Sequence, residues 1–167
     1  GADFGSVFEE IGNRLNARPV AIQIPLGQGP PHTPKPFRGI IDLIQMKLLI
    51  FPDGKEGRQI IVSEIPDDAA DEAHHWRERL LESLYDYSNE LMELALAEEP
   101  IPEPLIHKVL RDATVHLQIQ PVMCGAALQG AGVQPMLDAV AAYLPKPADV
   151  PPVEGIDSTQ KSKGKAA

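Results

Sequence analysis

A long helical run between Pro66 and Pro100 constrains the fold more than any other feature of this sequence. Within the run, apolar side chains recur every three or four residues, so on an α-helix they form one continuous stripe. The stripe comprises Ala69, Ala73, Trp76, Leu80, Leu84, Tyr87, Leu91 and Leu94. Ser88 is a favourable N-cap residue, and the run is predicted to break there into two helices. A stripe of this length needs a second layer of structure to cover it.

Short runs rich in Ile, Leu and Val supply that second layer. Turn residues bound them: a Pro- and Gly-rich loop over residues 27–36 and a predicted turn at 52–54. The runs therefore predict a small, largely antiparallel sheet. They span residues 20–24, 37–44, 47–51 and 59–63.

The remaining elements mix helices and strands, which indicates the α/β class. A helix is predicted after the N-cap Asp3, another over residues 104–117, and a buried strand over 119–124. A closing helix is predicted over 133–144, ended by Pro145. Its inward-facing residues are expected to be Val133, Leu137, Val140, Ala141 and Leu144.

Composition excludes several kinds of protein. The net charge of −9 and the pI near 4.9 argue against a broad surface that binds the phosphate backbone of nucleic acid. They suit a basic protein partner instead. The single cysteine, Cys124, cannot form an intramolecular disulfide, which fits a reducing, cytoplasmic setting. No apolar run reaches the ~20 residues that a membrane helix needs, so no membrane partner is expected.

Four segments, in order and at compatible spacing, carry a resemblance to a known family. They are GADF at residues 1–4, PLG at 25–27 with FRGIIDL at 37–43, ELME at 90–93, and GAALQGAGVQPMLDAVAAYLPKPADVPP at 125–152. These segments resemble bacterial elongation factor G, a translational GTPase. The last segment is the most specific of the four.

The resemblance implies a partial P-loop GTPase core that carries an α+β insert. Residues 1–18 would be a helix of the G domain, and residues 19–118 the insert, called the G′ subdomain. Residues 119–145 would be the last strand and helix of the G domain, and 146–167 a linker or tail. The chain is then expected to be a fragment of a longer factor.

The chain lacks most nucleotide-binding motifs of that family. It contains no G-x-x-x-x-G-K-[ST] sequence, no Asn-Lys-x-Asp sequence and no magnesium-binding switch segment. We therefore expect no catalytic residue, no bound cofactor and no GTP hydrolysis in the isolated chain. The resemblance implies GTP or GDP with magnesium in the full-length parent.

One nucleotide-facing segment remains, the loop Gly125, Ala126, Ala127 and Leu128. The resemblance implies that the backbone N–H of Ala127 donates to the guanine carbonyl. Ala126 stands where the family usually has serine, so a hydroxyl hydrogen bond is lost. Without the resemblance, an ordinary strand-to-helix turn explains the same residues.

A second candidate site is the acidic face of the long helix. Asp71, His75, Glu78 and Glu82 lie opposite the apolar stripe, and Asp86 lies on its flank. A solvated helix face explains such a pattern in most proteins. The resemblance implies instead that this side of the insert docks the basic C-terminal domain of the ribosomal stalk protein. The ribosome would be the wider partner, with rRNA contacted only through the full-length parent.

Three alternatives remain beside GTP-driven translocation in translation elongation. The chain could be a standalone protein-interaction module without a nucleotide role. It could also derive from a ribosome-protection factor or another paralogous translational GTPase. A metal-dependent enzyme is the weakest alternative, because Asp71 and His75 could share a metal ion but no third ligand follows at close spacing.

Overall fold

The computed structural model describes residues 3–30, 32–52 and 59–149. Its helices are α1 (Phe4–Leu15), α2 (Asp67–Tyr85), α3 (Asn89–Leu96), α4 (Glu103–Val115) and α5 (Val133–Tyr143). Its strands are β1 (Pro19–Ala21), β2 (Gln23–Leu26), β3 (Gly39–Asp42), β4 (Lys47–Ile50), β5 (Ile61–Ser63) and β6 (Gln120–Val122). Short 3₁₀ turns occupy Ala127–Gln129 and Pro147–Asp149. The predicted α/β class is confirmed.

Side-chain caps fix two of the helix starts that the sequence predicts. The Asp3 carboxylate accepts a hydrogen bond from the Ser6 N–H at 2.7 Å and caps α1. The Ser88 hydroxyl oxygen accepts one from the Leu91 N–H at 3.2 Å and caps α3. Each cap satisfies an N–H group that has no partner inside its helix. The break of the long helical run at Ser88 is thereby confirmed.

The main sheet is antiparallel, as predicted, and its strand order is β2-β3-β4-β5. Ile41 of β3 is the register partner of Ile24 on one side and of Leu48 on the other. The Asp42 carboxylate closes the β3–β4 connection by accepting the Ile44 and Gln45 N–H groups at 2.8 and 2.9 Å. The predicted turn at 52–54 falls largely outside the described residues, since 53–58 are not among them.

The predicted strand over residues 20–24 is wrong in one respect, because the structure divides it between two sheets. β1 pairs in parallel with β6, whereas β2 enters the antiparallel sheet. Ile22 lies at the junction: its N–H donates to the Val122 carbonyl at 3.0 Å, and its carbonyl accepts from the Leu43 N–H at 3.1 Å. Apolar alternation predicts an extended chain but not which strand satisfies each backbone group.

The helix α2 covers one face of the main sheet and forms the centre of the hydrophobic core. The predicted stripe contributes five buried residues: Ala69, Ala73, Leu80, Leu84 and Leu91. They belong to the same cluster as Ile24, Ile41 and Leu48 of the sheet and Ile119 beside β6. Full burial of one such aliphatic side chain contributes about 1.5–3 kcal/mol. Burial of this stripe therefore holds the inserted sheet and the β1–β6 pair on one core.

The predicted inward face of α5 is wrong for most of its residues. Leu137, Val140 and Leu144 are 52%, 47% and 49% exposed, and Ala141 is also exposed. The helix instead buries Tyr143, whose hydroxyl group lies 2.6 Å from Nδ1 of His107 on α4. Because α5 has apolar residues on several sides, periodicity alone could not show which side meets the rest of the chain.

Arg111 of α4 fixes the end of α5 and the residues that follow it. Its guanidinium group donates to the carbonyl oxygens of Ala142 and Leu144 at 2.7 and 3.2 Å. It also pairs with the Asp149 carboxylate at 2.6 Å. The start of the predicted linker is therefore ordered, while residues 150–167 lie outside the described residues.

Candidate functional site

The predicted guanine-contacting residues lie on one loop between β6 and α5. We call residues 124–132 the β6–α5 loop. Its two limbs are joined by a hydrogen bond from the Ala126 N–H to the Ala131 carbonyl at 2.9 Å. The tip is the 3₁₀ turn Ala127–Gln129, closed by the Gly130 N–H on the Ala127 carbonyl at 3.0 Å. The loop is thus an ordered turn in which Gly125, Ala126, Ala127 and Leu128 follow one another along one limb.

Two glycines allow the limbs of this loop to approach closely. A Cβ atom on Gly125 would lie 2.9 Å from the Ala131 carbonyl oxygen. One on Gly132 would lie 2.8 Å from the Cys124 carbonyl oxygen, and Gly132 also has a φ of 81°, which side chains disfavour. A Gly-rich connection between a strand and a helix is itself a sequence signal of close backbone approach.

The tip of the loop is exposed to solvent. Ala127 and Leu128 are exposed, and within the described part of the chain the Ala127 N–H has no protein acceptor. The tip borders an open cavity of about 1270 Å³ that the N-terminal end of α1 also lines, through Asp3 and Phe4. Ala127 and Leu128 both line this cavity, so a ligand that enters it would meet the loop tip.

The thiol of Cys124, at the base of the loop, is not suited to nucleophilic chemistry. Burial raises the pKa of Cys124 to about 12. Because the thiolate is the reactive form, the side chain stays protonated and unreactive near neutral pH. Cys124 is therefore a packing residue of the loop.

The five residues of the predicted acidic face are all exposed along α2. Asp71, His75, Glu78 and Glu82 lie on the side of the helix away from the core, and Asp86 caps its C-terminal end. The pKa of Tyr85 is raised by partial burial and by the nearby carboxylates of Glu82 and Glu78. The structure therefore brings these residues onto one face, which we call the α2 acidic face.

Two arginines of α2 are committed to other partners. Arg77 Nη1 donates to the carbonyl oxygen of Leu43 and, at 2.7 Å, to that of Ile44. Arg79 pairs with Glu9 of α1 at 3.0 Å, and its guanidinium carbon lies 4.6 Å from the centre of the Trp76 ring. These arginines therefore point away from the α2 acidic face and do not neutralise it. The sequence did not reveal the role of Arg77, because a lone arginine on a helix carries no such signal.

Metal binding finds no structural support in the described ranges 3–30, 32–52 and 59–149. They contain no group of three or more His, Cys, Asp or Glu side chains that could hold a metal ion. Among the described helices, none combines the length and apolar character needed to traverse a bilayer.

The fold and the β6–α5 loop together indicate a class of protein. A parallel strand pair with an open cavity near the end of β6, interrupted by an antiparallel α+β insert, agrees with the architecture that the family resemblance implies. In open α/β sheets, ligands bind in the crevice beyond the carboxyl ends of parallel strands.

Comparison with known proteins finds a relative of this chain in one family. The chain is 46% identical over 156 residues to elongation factor G of Salinibacter ruber (strain DSM 13855 / M31). The match covers 93% of this chain and 21% of the relative, so the chain spans about one fifth of its length. No protein-family profile matches the chain. The chain is thus homologous to a segment of elongation factor G, and the resemblance is confirmed.

A solved structure shares the fold. A crystal structure of a protein from Thermus thermophilus superposes with a TM-score of 0.72, covering 89% of this chain and 21% of the other. Sequence identity between the two is 23%, so this likeness bears on the fold alone.

Proposed function

We propose that this chain is part of a GTP-dependent ribosomal translocation factor acting in translation elongation in the cytoplasm. Homology to elongation factor G over nearly the whole chain supports this proposal. In the proposal, residues 19–118 are the G′ insert, and residues 1–18 and 119–145 belong to the G domain. GTP or GDP with magnesium binds the full-length parent. The nucleotide-binding motifs that this chain lacks supply the phosphate and metal contacts there.

The α2 acidic face is the proposed docking surface for the C-terminal domain of the ribosomal stalk protein. The observation that carries this proposal is its set of five exposed residues on a helix whose arginines are turned elsewhere. A basic partner is steered toward such a face, and the attraction weakens as salt screens it. Docking there recruits the factor to the ribosome.

The test is an NMR titration of the isotopically labelled chain with that stalk domain at two salt concentrations. We expect shifts centred on Asp71, Glu78 and Glu82 that shrink as salt is raised. The double variant Glu78→Lys/Glu82→Lys should bind about tenfold more weakly, since each exposed charge pair contributes up to about 1 kcal/mol.

A matched control separates the face from the net charge. Glu93→Lys/Glu99→Lys makes the same change in net charge at two exposed positions away from α2. If both double variants weaken binding equally, the effect is general electrostatics and the docking surface lies elsewhere. If the wild-type chain shows no shifts at millimolar partner, the docking proposal is wrong.

A further inference from the structure

The β6–α5 loop rests on the inserted sheet. Strand β3 has two buried faces: Ile41 points into the core under α2, and its neighbour Ile40 points to the opposite side. Ile40 is 0% exposed and lies outside the core cluster that contains Ile41. Something other than α2 must therefore cover it.

The limb of the loop that leads into α5, which we call the returning limb, packs against Ile40 through Gly132. A Cβ atom placed on Gly132 would lie 3.0 Å from Cδ1 of Ile40, so this methyl group sits directly over the Gly132 backbone. The same position would lie 3.0 Å from Cα of Gly125 on the outgoing limb. The Ile40 methyl group and the Gly125 Cα atom thus both lie on the side of Gly132 where a Cβ would project, so the insert strand and the two limbs of the loop meet at one point.

This meeting point holds the backbone that carries the guanine contact implied by the family resemblance. Gly125 lies two residues before Ala127. The hydrogen bond from the Ala126 N–H to the Ala131 carbonyl joins the two limbs between Gly125 and the tip. Ala131 is itself buried. Movement of the returning limb away from Ile40 would break contacts on both limbs, and the Ala127 N–H would lose its fixed direction.

We propose that Ile40 is a positioning residue for the β6–α5 loop, and that the insert thereby contributes to guanine-nucleotide affinity. The effect on nucleotide affinity rests on the proposed function, in which the Ala127 N–H contacts guanine as the family resemblance implies. The insert then has a second function besides docking a partner, because its sheet packs against the β6–α5 loop and holds it in place. The support acts through packing, because the contact involves only a methyl group and a glycine backbone.

The test removes that methyl group alone. Ile40→Val deletes Cδ1, and the matched control Ile41→Val deletes the same group from the adjacent residue in the main core. Site-resolved amide hydrogen exchange of the chain is followed by NMR at Ala126, on the loop, and at Leu110, in the buried part of α4. Ile40→Val should speed exchange at Ala126 about fourfold, the factor that corresponds to one buried methylene-sized group, with Leu110 unchanged.

The outcomes separate positioning from general stability. Ile41→Val should change Ala126 and Leu110 together or leave both unchanged. If Ile40→Val also changes both amides by one factor, or changes neither, the proposed positioning role is wrong. Exchange reports the order of the loop whether or not the loop contacts guanine, so failure of the guanine role would leave this result intact and would be seen instead in the GDP affinity of Ala127 variants.

Discussion

At the scale of single residues, the decisive group of the proposed nucleotide contact is one backbone N–H. Ala127 begins a 3₁₀ turn, and the preceding residue is not helical, with φ of −124° and ψ of 77°. Proline is tolerated at the first position of a helical turn, where it removes the N–H without breaking an internal hydrogen bond. The side chain of Ala127 has no part in the proposed contact.

We therefore predict that Ala127→Pro weakens binding of GDP by the full-length polypeptide about tenfold or more. A buried guanine carbonyl left without its donor costs about 1–3 kcal/mol. The measurement is a fluorescence titration with a labelled GDP, and Ala127→Ser, which keeps the N–H, is the control. Equal affinity of the proline variant and the wild type would refute the contact.

Asp42 makes a pH-dependent contribution to stability. Burial raises the pKa of Asp42 above its ordinary value of 3.8, although the Gln45 and Ile44 N–H groups and His107 act in the opposite direction. A raised folded-state pKa means that the ionised carboxylate is less favourable in the folded chain than in the unfolded chain. The contribution to stability is therefore present below pH 3.8 and lost as pH rises through the folded-state pKa.

Asp42→Asn should consequently raise the free energy of unfolding at pH 7, because asparagine keeps an acceptor for both N–H groups and carries no charge. The advantage over the wild type should shrink as pH falls toward 3.8 and vanish below it. Denaturant unfolding of both proteins from acidic to neutral pH checks this. An advantage that is constant with pH would show that titration of Asp42 is not its cause.

Single residues also mark the limit of what the sequence could predict. The exposed members of the α2 acidic face followed from helical periodicity, because all of them lie on one regular helix. The contact between Ile40 and Gly132 did not, since it joins positions far apart in the chain by close packing that leaves no periodic trace. Ile40 looked like any other residue of a buried strand.

At the scale of elements, Arg77 ties α2 to the turn between β3 and β4. Its two hydrogen bonds satisfy the carbonyl oxygens of Leu43 and Ile44, and both of those residues are buried. Leaving buried carbonyl groups without a donor costs about 1–3 kcal/mol. The arginine is itself half-buried, and this burial lowers its pKa without removing its charge at neutral pH.

We predict that Arg77→Ala lowers the free energy of unfolding by about 2 kcal/mol. Arg79→Ala, two residues along, removes an exposed pair with Glu9 and should cost less than about 1 kcal/mol. Urea denaturation of the two variants makes the comparison. A smaller loss for Arg77→Ala than for Arg79→Ala would contradict the anchoring role of Arg77.

The bounds of helices and strands were predicted well where neighbouring residues determine them. They were predicted poorly where contacts between residues distant in sequence determine them. The caps at Asp3 and Ser88 act within one turn of chain, so their helices began as predicted. The division of the 20–24 run between two sheets depends on Val122 and Leu43, which are distant in sequence. The face of α5 likewise depends on contacts with α4 that periodicity does not encode.

At the scale of the whole molecule, one core joins both parts of the described chain. Phe8 of α1, Val20 of β1 and Ile119 beside β6 belong to the same cluster as Ile41 of the inserted sheet. Leu84, 0% exposed, lies in that cluster on α2. The proposed G-domain segments and the proposed insert are therefore expected to unfold together, because Phe8 and Ile119, outside the insert, are buried in the same cluster as the insert's own residues.

This expectation is tested by Leu84→Ala, which should cost about 2–5 kcal/mol through lost burial and the cavity left behind. Trp76, the single tryptophan, packs 5.3 Å from the Phe8 ring centre and reports on α1 and α2 by fluorescence. Backbone NMR signals of α5 report on the proposed G-domain part, since α5 lies within residues 119–145. Both probes should shift to a lower urea midpoint by the same amount, because a shared core transmits the loss to each part. If the tryptophan transition moves while the α5 signals keep their wild-type midpoint, the insert has an independent core and the two parts fold separately.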